Sequence, residues 1–302
     1  DGRYAVRYKI QGTPLVSIII PTKDQVQLLR KCVESIKKKT RYRNYELVII
    51  DNNSSDPEAL KYLEKLAREH RVLKFPEAFN WSKINNFGAA NCEGKYLLFL
   101  NNDIEVKESG WLTAMLEQAQ RPEIGAVGAK LLHPKKVTIQ HIGVILGMGS
   151  DGIAGHPFHG TVERALMGYM PYLQTFVSPR NYCAVTGACM MVRRDAFEQL
   201  GGFDINFKVA YGDVDFCLRL WSLGYFIVFT PLATLFHHET ATRSGITPRE
   251  DIKHMLEKWG RYIKRGDPFY NPNLALDWPR LRLSSDEIPL CLQKTSPNGG
   301  GL

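Results

Sequence analysis

The chain has 302 residues, 44% of them hydrophobic, and a formal net charge of +8 from 39 basic and 31 acidic side chains. That length can bury a core without disulfide or metal staples, and no stretch approaches the ~18 uninterrupted apolar residues of a membrane span. The positive excess is spread along the sequence, which suits an anionic substrate or an anionic membrane surface and argues against nucleic acid as a partner.

The six cysteines (Cys32, Cys92, Cys183, Cys189, Cys217 and Cys291) form no CxxC pair. Their spacing argues for a reducing, cytoplasmic setting and against a disulfide framework or zinc knuckle. The N-terminus has neither the basic start nor the apolar core of a signal peptide. Asp1 in place of an initiator Met reads as the start of a piece cut from a longer chain.

In chain order, residues 1–14 read as an irregular lead-in. The β-branched run 15–20 predicts a buried strand, followed by Pro21-Thr22-Lys23-Asp24. Asp24 or a neighbour is placed to cap the next helix, which carries Leu28, Leu29, Cys32, Val33 and Ile36. Residues 45–50 predict a second strand ending in the polar loop 51–56, and Leu60, Leu63 and Leu66 mark a second helix. A short strand at 72–75 precedes the amide-rich helix 80–90.

Residues 96–100 are apolar without alternation and stop at Asn101-Asn102-Asp103. Such a run predicts a central strand buried on both faces, and open α/β sheets place ligands at the carboxyl ends of their strands. Asp103 there is either a turn residue or a hard oxygen ligand for Mg²⁺ or Mn²⁺ holding a diphosphate. A helix through Trp111 and Leu116 and a strand at 124–128 complete a βαβα alternation, the mark of an α/β fold with a parallel sheet.

Beyond 130 the pattern changes. Residues 137–147 predict paired short strands, and 148–180 is a long irregular stretch of the kind that forms binding loops. Residues 183–193 are strand-like but broken at Gly187, and helices are predicted at 195–200 and 214–223. Two short strands at 225–229 and 233–236 precede a basic amphipathic helix at about 248–264, and the glycine-ended tail 284–302 reads as mobile.

Taken together, the motifs 16–22, Asp51-Asn52-Asn53-Ser54-Ser55-Asp56 and Leu100-Asn101-Asn102-Asp103 resemble the nucleotide-sugar half of family 2 glycosyltransferases. Thr186-Gly187-Ala188-Cys189, Gly201-Gly202-Phe203-Asp204, the 213–219 run and His237-His238-Glu239-Thr240 resemble its acceptor half. The subgroup most like this chain, with Phe79-Asn80-Trp81-Ser82-Lys83-Ile84-Asn85-Asn86 and Tyr270-Asn271-Pro272-Asn273-Leu274, includes rhamnosyltransferases and other enzymes of bacterial surface-polysaccharide assembly. The resemblance implies the GT-A fold over 15–265, divided into a nucleotide-sugar half (15–130) and an acceptor half (131–265), with a C-terminal extension at 266–302. It also implies a divalent metal and inverting transfer from a UDP, dTDP or GDP sugar to a glycan or lipid-linked glycan. Two departures stand out: Asn101-Asn102-Asp103 keeps one carboxylate of the usual metal pair, and Gly212-Asp213 lacks the usual acidic neighbour.

By the same resemblance, Pro21 and Thr22 meet the nucleotide through their backbone and Asp51 meets the base, with Asn53 assisting; Asn80, Lys83 and Asn85 are candidates for ribose or phosphate, beside Asn101 and Asn102. Asp51 is otherwise a turn carboxylate, and Asn80, Lys83 and Asn85 otherwise belong simply to a capped amphipathic helix. Asp103 and His237 would hold the metal, manganese in preference because imidazole suits it better than magnesium; His238 is the other candidate. Asp213 would deprotonate the acceptor hydroxyl, with Asp215 as the next candidate. Gly187, His141 and His156 belong to the acceptor side, the histidines as acceptor contacts or simple loop polarity. The basic helix near Lys253, Lys258, Arg261, Lys264 and Arg265 is compatible with peripheral contact at the inner membrane face. A nucleotidyltransferase would want a glycine-rich phosphate loop after the first strand, a dehydrogenase GxGxxG; neither is present. A non-catalytic binding module of the same fold would not need Asp103, Asp213 and His237 together.

Overall fold

The first β-branched run forms β1 (Val16–Thr22), which pairs in parallel with β2 (Tyr45–Asp51) and β4 (Tyr96–Leu100), while β3 (Arg71–Lys74) adds in parallel to β2. Ile18 and Ile20 enter one core and Ile19 the other, so both faces of β1 are covered and no polar alternation survives in its sequence. On one face lie α1 (Val26–Lys39), α2 (Pro57–Leu66) and α4 (Trp111–Ala119). On the other lie α3 (Trp81–Ala90), α5 (Arg194–Gln199), α6 (Gly212–Ser222) and α7 (Arg249–Arg265). This computed structural model describes residues 6–163, 177–238 and 247–276.

The sheet continues past β4 through β11 (Cys189–Arg193), antiparallel to β4 and to β6 (Ile124–His133). β12 (Phe226–His237) runs parallel to β6, with β10 (Arg180–Tyr182) antiparallel at its outer edge. β5 (Ile104–Val106) pairs with the end of β12 and β7 (Thr138–His141) with the end of β6, giving a mixed ten-stranded sheet. A second, two-stranded sheet is the hairpin of β8 (Ile145–Leu146) and β9 (Ala154–Gly155). Residue 130 falls inside β6, so the two halves share one sheet.

Three local expectations differ from the structure. The two strands expected at 225–229 and 233–236 are one strand, β12, whose register against β6 shifts between Thr230 and Thr234. Pro231 has no N–H for the ladder, and a bulge accommodates it without ending the strand. Asp24 does not cap α1; its Oδ1 accepts from the Ser55 and Asp56 N–H groups, tying the loop after β1 to the loop after β2. Residues 183–188 are not strand, and β11 begins only at Cys189. Residues 6–14 of the lead-in are irregular as expected but anchored, with the Arg7 guanidinium on both carboxylate oxygens of Glu117 in α4. Glu239, Thr240, Cys291 and the tail 284–302 lie outside the described residues, as does 164–176 of the irregular stretch.

Candidate active site

β1, β2 and β4 end on the same edge of the sheet, and their polar loops meet there. Asn102 Nδ2 donates to Thr22 Oγ1 at 3.0 Å, and the Asn52 N–H donates to the Thr22 carbonyl at 2.8 Å. Pro21 precedes this contact, half-buried in β1. Asp51 is buried, with Oδ1 accepting from the Ser54 N–H. Asn53 takes a left-handed backbone (φ 59) and donates to the carbonyls of Pro76 and Glu77. The Asn101 N–H donates to the Ala188 carbonyl at 3.0 Å, joining the end of β4 to the Gly187 loop.

Asp103 leaves β4 just before β5, and β12 brings His237 opposite Ile104. Asp103 Oδ1 and His237 Nε2 stand 3.1 Å apart, both side chains buried. Asp103 Oδ1 and His237 Nδ1 are nevertheless buried without a hydrogen-bond partner. Burial pushes the Asp103 carboxyl up, but the His237 ring outweighs it and leaves the group below the usual carboxylate range. His238 turns instead to Glu105, at 3.0 Å, and that carboxylate also meets Lys31 and Lys39. Glu105 and His238 form a pair beside the site that the sequence reading did not assign; the β5–β12 register that joins them is a tertiary feature with no local signal.

Asp213 sits in the first turn of α6. Its Oδ2 accepts from the Gly187 N–H at 2.8 Å and its Oδ1 from the Val214 N–H at 2.9 Å. Gly187 is required sterically: a Cβ there would stand 2.3 Å from the Trp81 ring. The same ring packs 3.3 Å from where a Gly212 Cβ would be, so Trp81 wedges between the two glycines flanking Asp213. Asp215, by contrast, is fully buried and bonded to Arg219, Lys258 and the Trp259 indole, tying α6 to α7.

The amides of α3 face inward. Asn80 caps the helix by accepting from the Lys83 N–H and donates to the Ile205 carbonyl. Asn85 donates to the Trp81 carbonyl, and the Lys83 ammonium pairs with Glu77 at 2.9 Å. His141 on β7 is fully buried, with Nδ1 2.9 Å from His156 Nδ1 and Nε2 accepting weakly from the Thr186 N–H. Burial, then His156 and His237, hold the His141 imidazole well below its ordinary range, so it is neutral.

A family model described as glycosyl transferase family 2 matches residues 17–201, and one described as glycosyl transferase family group 2 matches 126–284. The chain belongs to glycosyl transferase family 2. Among relatives, the O-antigen biosynthesis protein RfbC of Myxococcus xanthus is 44% identical over 91% of this chain, which spans 21% of that protein. An N-acetylglucosaminyl-diphospho-decaprenol L-rhamnosyltransferase of Mycobacterium tuberculosis is 37% identical over 48% of the chain and 47% of its own length. The family 2 chain is therefore about a fifth of the first relative and about half of the second. Its GT-A fold is shared with the solved structure of GalNAc-T7 with UDP, GalNAc and Mn²⁺ (TM-score 0.66, 16% identity, 83% of this chain and 50% of that one). It is shared also with the mannosyltransferase PcManGT from Pyrobaculum calidifontis in complex with GDP-Man and Mn²⁺ (TM-score 0.59, 15% identity, 85% and 67%).

The residues of this family 2 chain suit a divalent ion. Adjacent ligands of an octahedral ion with bonds of about 2.1 Å stand about 3 Å apart, the spacing seen between Asp103 Oδ1 and His237 Nε2. The orphaned carboxylate oxygen is the group such an ion would satisfy. Among the described residues no group of three or more acidic, histidine or cysteine side chains could hold a metal, so other ligands would come from the diphosphate and water. No described helix is long and apolar enough to cross a membrane.

Proposed function

We propose that the chain is an inverting glycosyltransferase that moves a sugar from a nucleotide diphosphate to a hydroxyl of a glycan or lipid-linked glycan, in surface-polysaccharide assembly. The observation that carries this reading is the buried Asp103–His237 contact, with its unpartnered oxygen, at the carboxyl edge of the parallel strands. The likeness to RfbC, an O-antigen biosynthesis protein, and to the mycobacterial rhamnosyltransferase supports the pathway, and the nucleotides and Mn²⁺ in the two solved structures support the donor class and metal.

Thr22 and Asp51, at the ends of β1 and β2, would meet the nucleoside. Asp103 and His237 would hold Mn²⁺ or Mg²⁺, which when bound would supply Lewis acidity to the departing diphosphate. Asp213 accepts the acceptor's proton as its oxygen bonds to the sugar's anomeric carbon and the bond to the phosphate oxygen breaks. One such displacement inverts the anomeric centre. Asn53 and Asn80 serve this site by holding its loops, since their amides are bonded to the Pro76 and Ile205 carbonyls, while Asn85 bonds within its own helix. Asp215 joins two helices and acts as scaffold.

The test is to incubate the chain with UDP, dTDP and GDP sugars and a panel of glycan acceptors, with Mn²⁺ and with EDTA, and read the product's anomeric configuration. Metal-dependent, inverted product is expected. Retained configuration, or turnover indifferent to EDTA, would contradict the proposal.

A further inference from the structure

Tyr211 is the residue before Gly212-Asp213, and it occupies the N-cap position of α6 in a left-handed backbone conformation (φ 62) with no side-chain cap bond. A bulky side chain rarely adopts that region, and helices ordinarily start from an extended Ser, Thr, Asp or Asn. Such outliers persist only where the surroundings over-determine them, and they gather at functional sites. Here the surroundings can be named. The Tyr211 hydroxyl donates to Asp151 Oδ2, in the turn between β8 and β9, and Thr247, leading into α7, reaches the same hydroxyl. Asp151 is itself fixed by accepting the Ile153 N–H on Oδ1. Burial, followed by Asp151, raises the phenol well above its ordinary range, so the hydroxyl remains a donor at working pH.

The backbone of Tyr211 is joined to the carboxylate two residues on. Its carbonyl accepts the Asp215 N–H at 2.8 Å, closing the first turn of α6, and that turn aims Asp213 Oδ2 at the Gly187 N–H. A rotation of Tyr211 would swing Asp213 away from Gly187. We propose that Tyr211 is a positioning residue for Asp213, kept in its left-handed conformation by Asp151, so that the β8–β9 turn and the Asp213 carboxylate are set by a single contact. The proposal rests on Asp213 as the base for its catalytic meaning, though not for its geometry.

The Gly187 N–H reads this placement directly, because it donates to Asp213. In amide spectra of the isotope-labelled 302-residue chain, Asp213→Asn marks where the Gly187 resonance goes when the carboxylate is lost. Tyr211→Phe and Asp151→Ala are each expected to shift it toward that position, and together no further than either alone, because both remove one interaction. Asp151→Asn, whose amide oxygen can still accept from the phenol, should stay near the wild-type position. Gly94, whose N–H donates to Ser17 Oγ in a different part of the sheet, should not move in any of them. If Tyr211→Phe also moves Gly94, the variants of the exposed Asp151 decide alone. A Gly187 resonance unmoved by Asp151→Ala, or moved equally by Asp151→Ala and Asp151→Asn, would overturn the proposal. No step of this readout uses transfer, so a failure of Asp213 as the base, seen as full transfer by Asp213→Asn, is a separate result.

Discussion

At Asp213 the N–H groups of Gly187 and Val214 fix the two carboxylate oxygens, and asparagine there keeps the size but cannot take a proton. Asp213→Asn should therefore lower the transfer rate by ~10²–10⁴ while donor affinity and melting temperature stay near wild type. A lower melting temperature with the transfer rate preserved would make Asp213 a helix-start residue only. Asp204 shows a different use of a carboxylate. Burial pushes it up, but His254, Lys258 and the Asn206 N–H outweigh burial and hold it far below its ordinary range. Because the folded value lies under the unfolded one, the unfolded chain binds more protons in acid. The stabilisation is complete above the ordinary carboxylate pKa of about 4 and is lost as pH falls below it. Urea titrations should show wild type losing more stability than Asp204→Asn between about pH 5 and 2; parallel curves would contradict this. The type of these carboxylates was legible in the sequence, but their partners were not. Asp215 looks like a site residue beside Asp213 in sequence, yet the helical turn carries it to the opposite side, under Arg219, Lys258 and Trp259.

The elements that carry the site differ in how far their sequence reveals them. β4 is legible because both its faces are buried, which leaves five apolar residues ended by the polar loop that holds Asp103. α6 is legible from its apolar spacing and its acidic first turn. β12 is not, because Pro231 breaks the pattern of a strand that the sheet keeps continuous through a register shift. The amides of α3 read equally as ligand contacts and as part of a capped helix; Asn85 bonds locally to the Trp81 carbonyl, but the bonds of Asn80 to Ile205 and of Asn86 to Phe203 are long-range facts that no local pattern encodes. The same helix sets the Gly187 loop through Trp81. Gly187→Ala would force the new methyl into that ring, and overpacking of this kind costs about 1–3 kcal/mol. Both stability in denaturant and transfer rate should fall, with nucleotide-diphosphate affinity kept. Unchanged stability would mean that the Trp81 ring moves aside freely.

Across the whole molecule, a parallel half carries Thr22, Asp51 and Asp103 at its strand ends and a mixed half carries His237 and Asp213, joined by β11 running antiparallel between β4 and β6. Among the described residues the five cysteines are buried, and burial raises the thiols of Cys32, Cys189 and Cys217, so they are inert packing groups and not a redox site. The proposed chemistry uses the edge where β1, β2 and β4 end, with the Asp103–His237 contact beside them. The most direct measurement there is the thermal shift given by UDP, GDP, dTDP and CDP with and without Mn²⁺, on wild type and Asp103→Ala. Asp103→Ala gives up the His237 contact, so each shift is read against that protein's own unliganded melting temperature. A ligand at 100 times its Kd stabilises the fold by about 2.7 kcal/mol. The expected result is that at least one diphosphate raises the melting temperature of wild type only when Mn²⁺ is present, and that Asp103→Ala abolishes the rise. An Mn²⁺-dependent rise that survives in Asp103→Ala, or no rise with any of the four nucleotides, would contradict it.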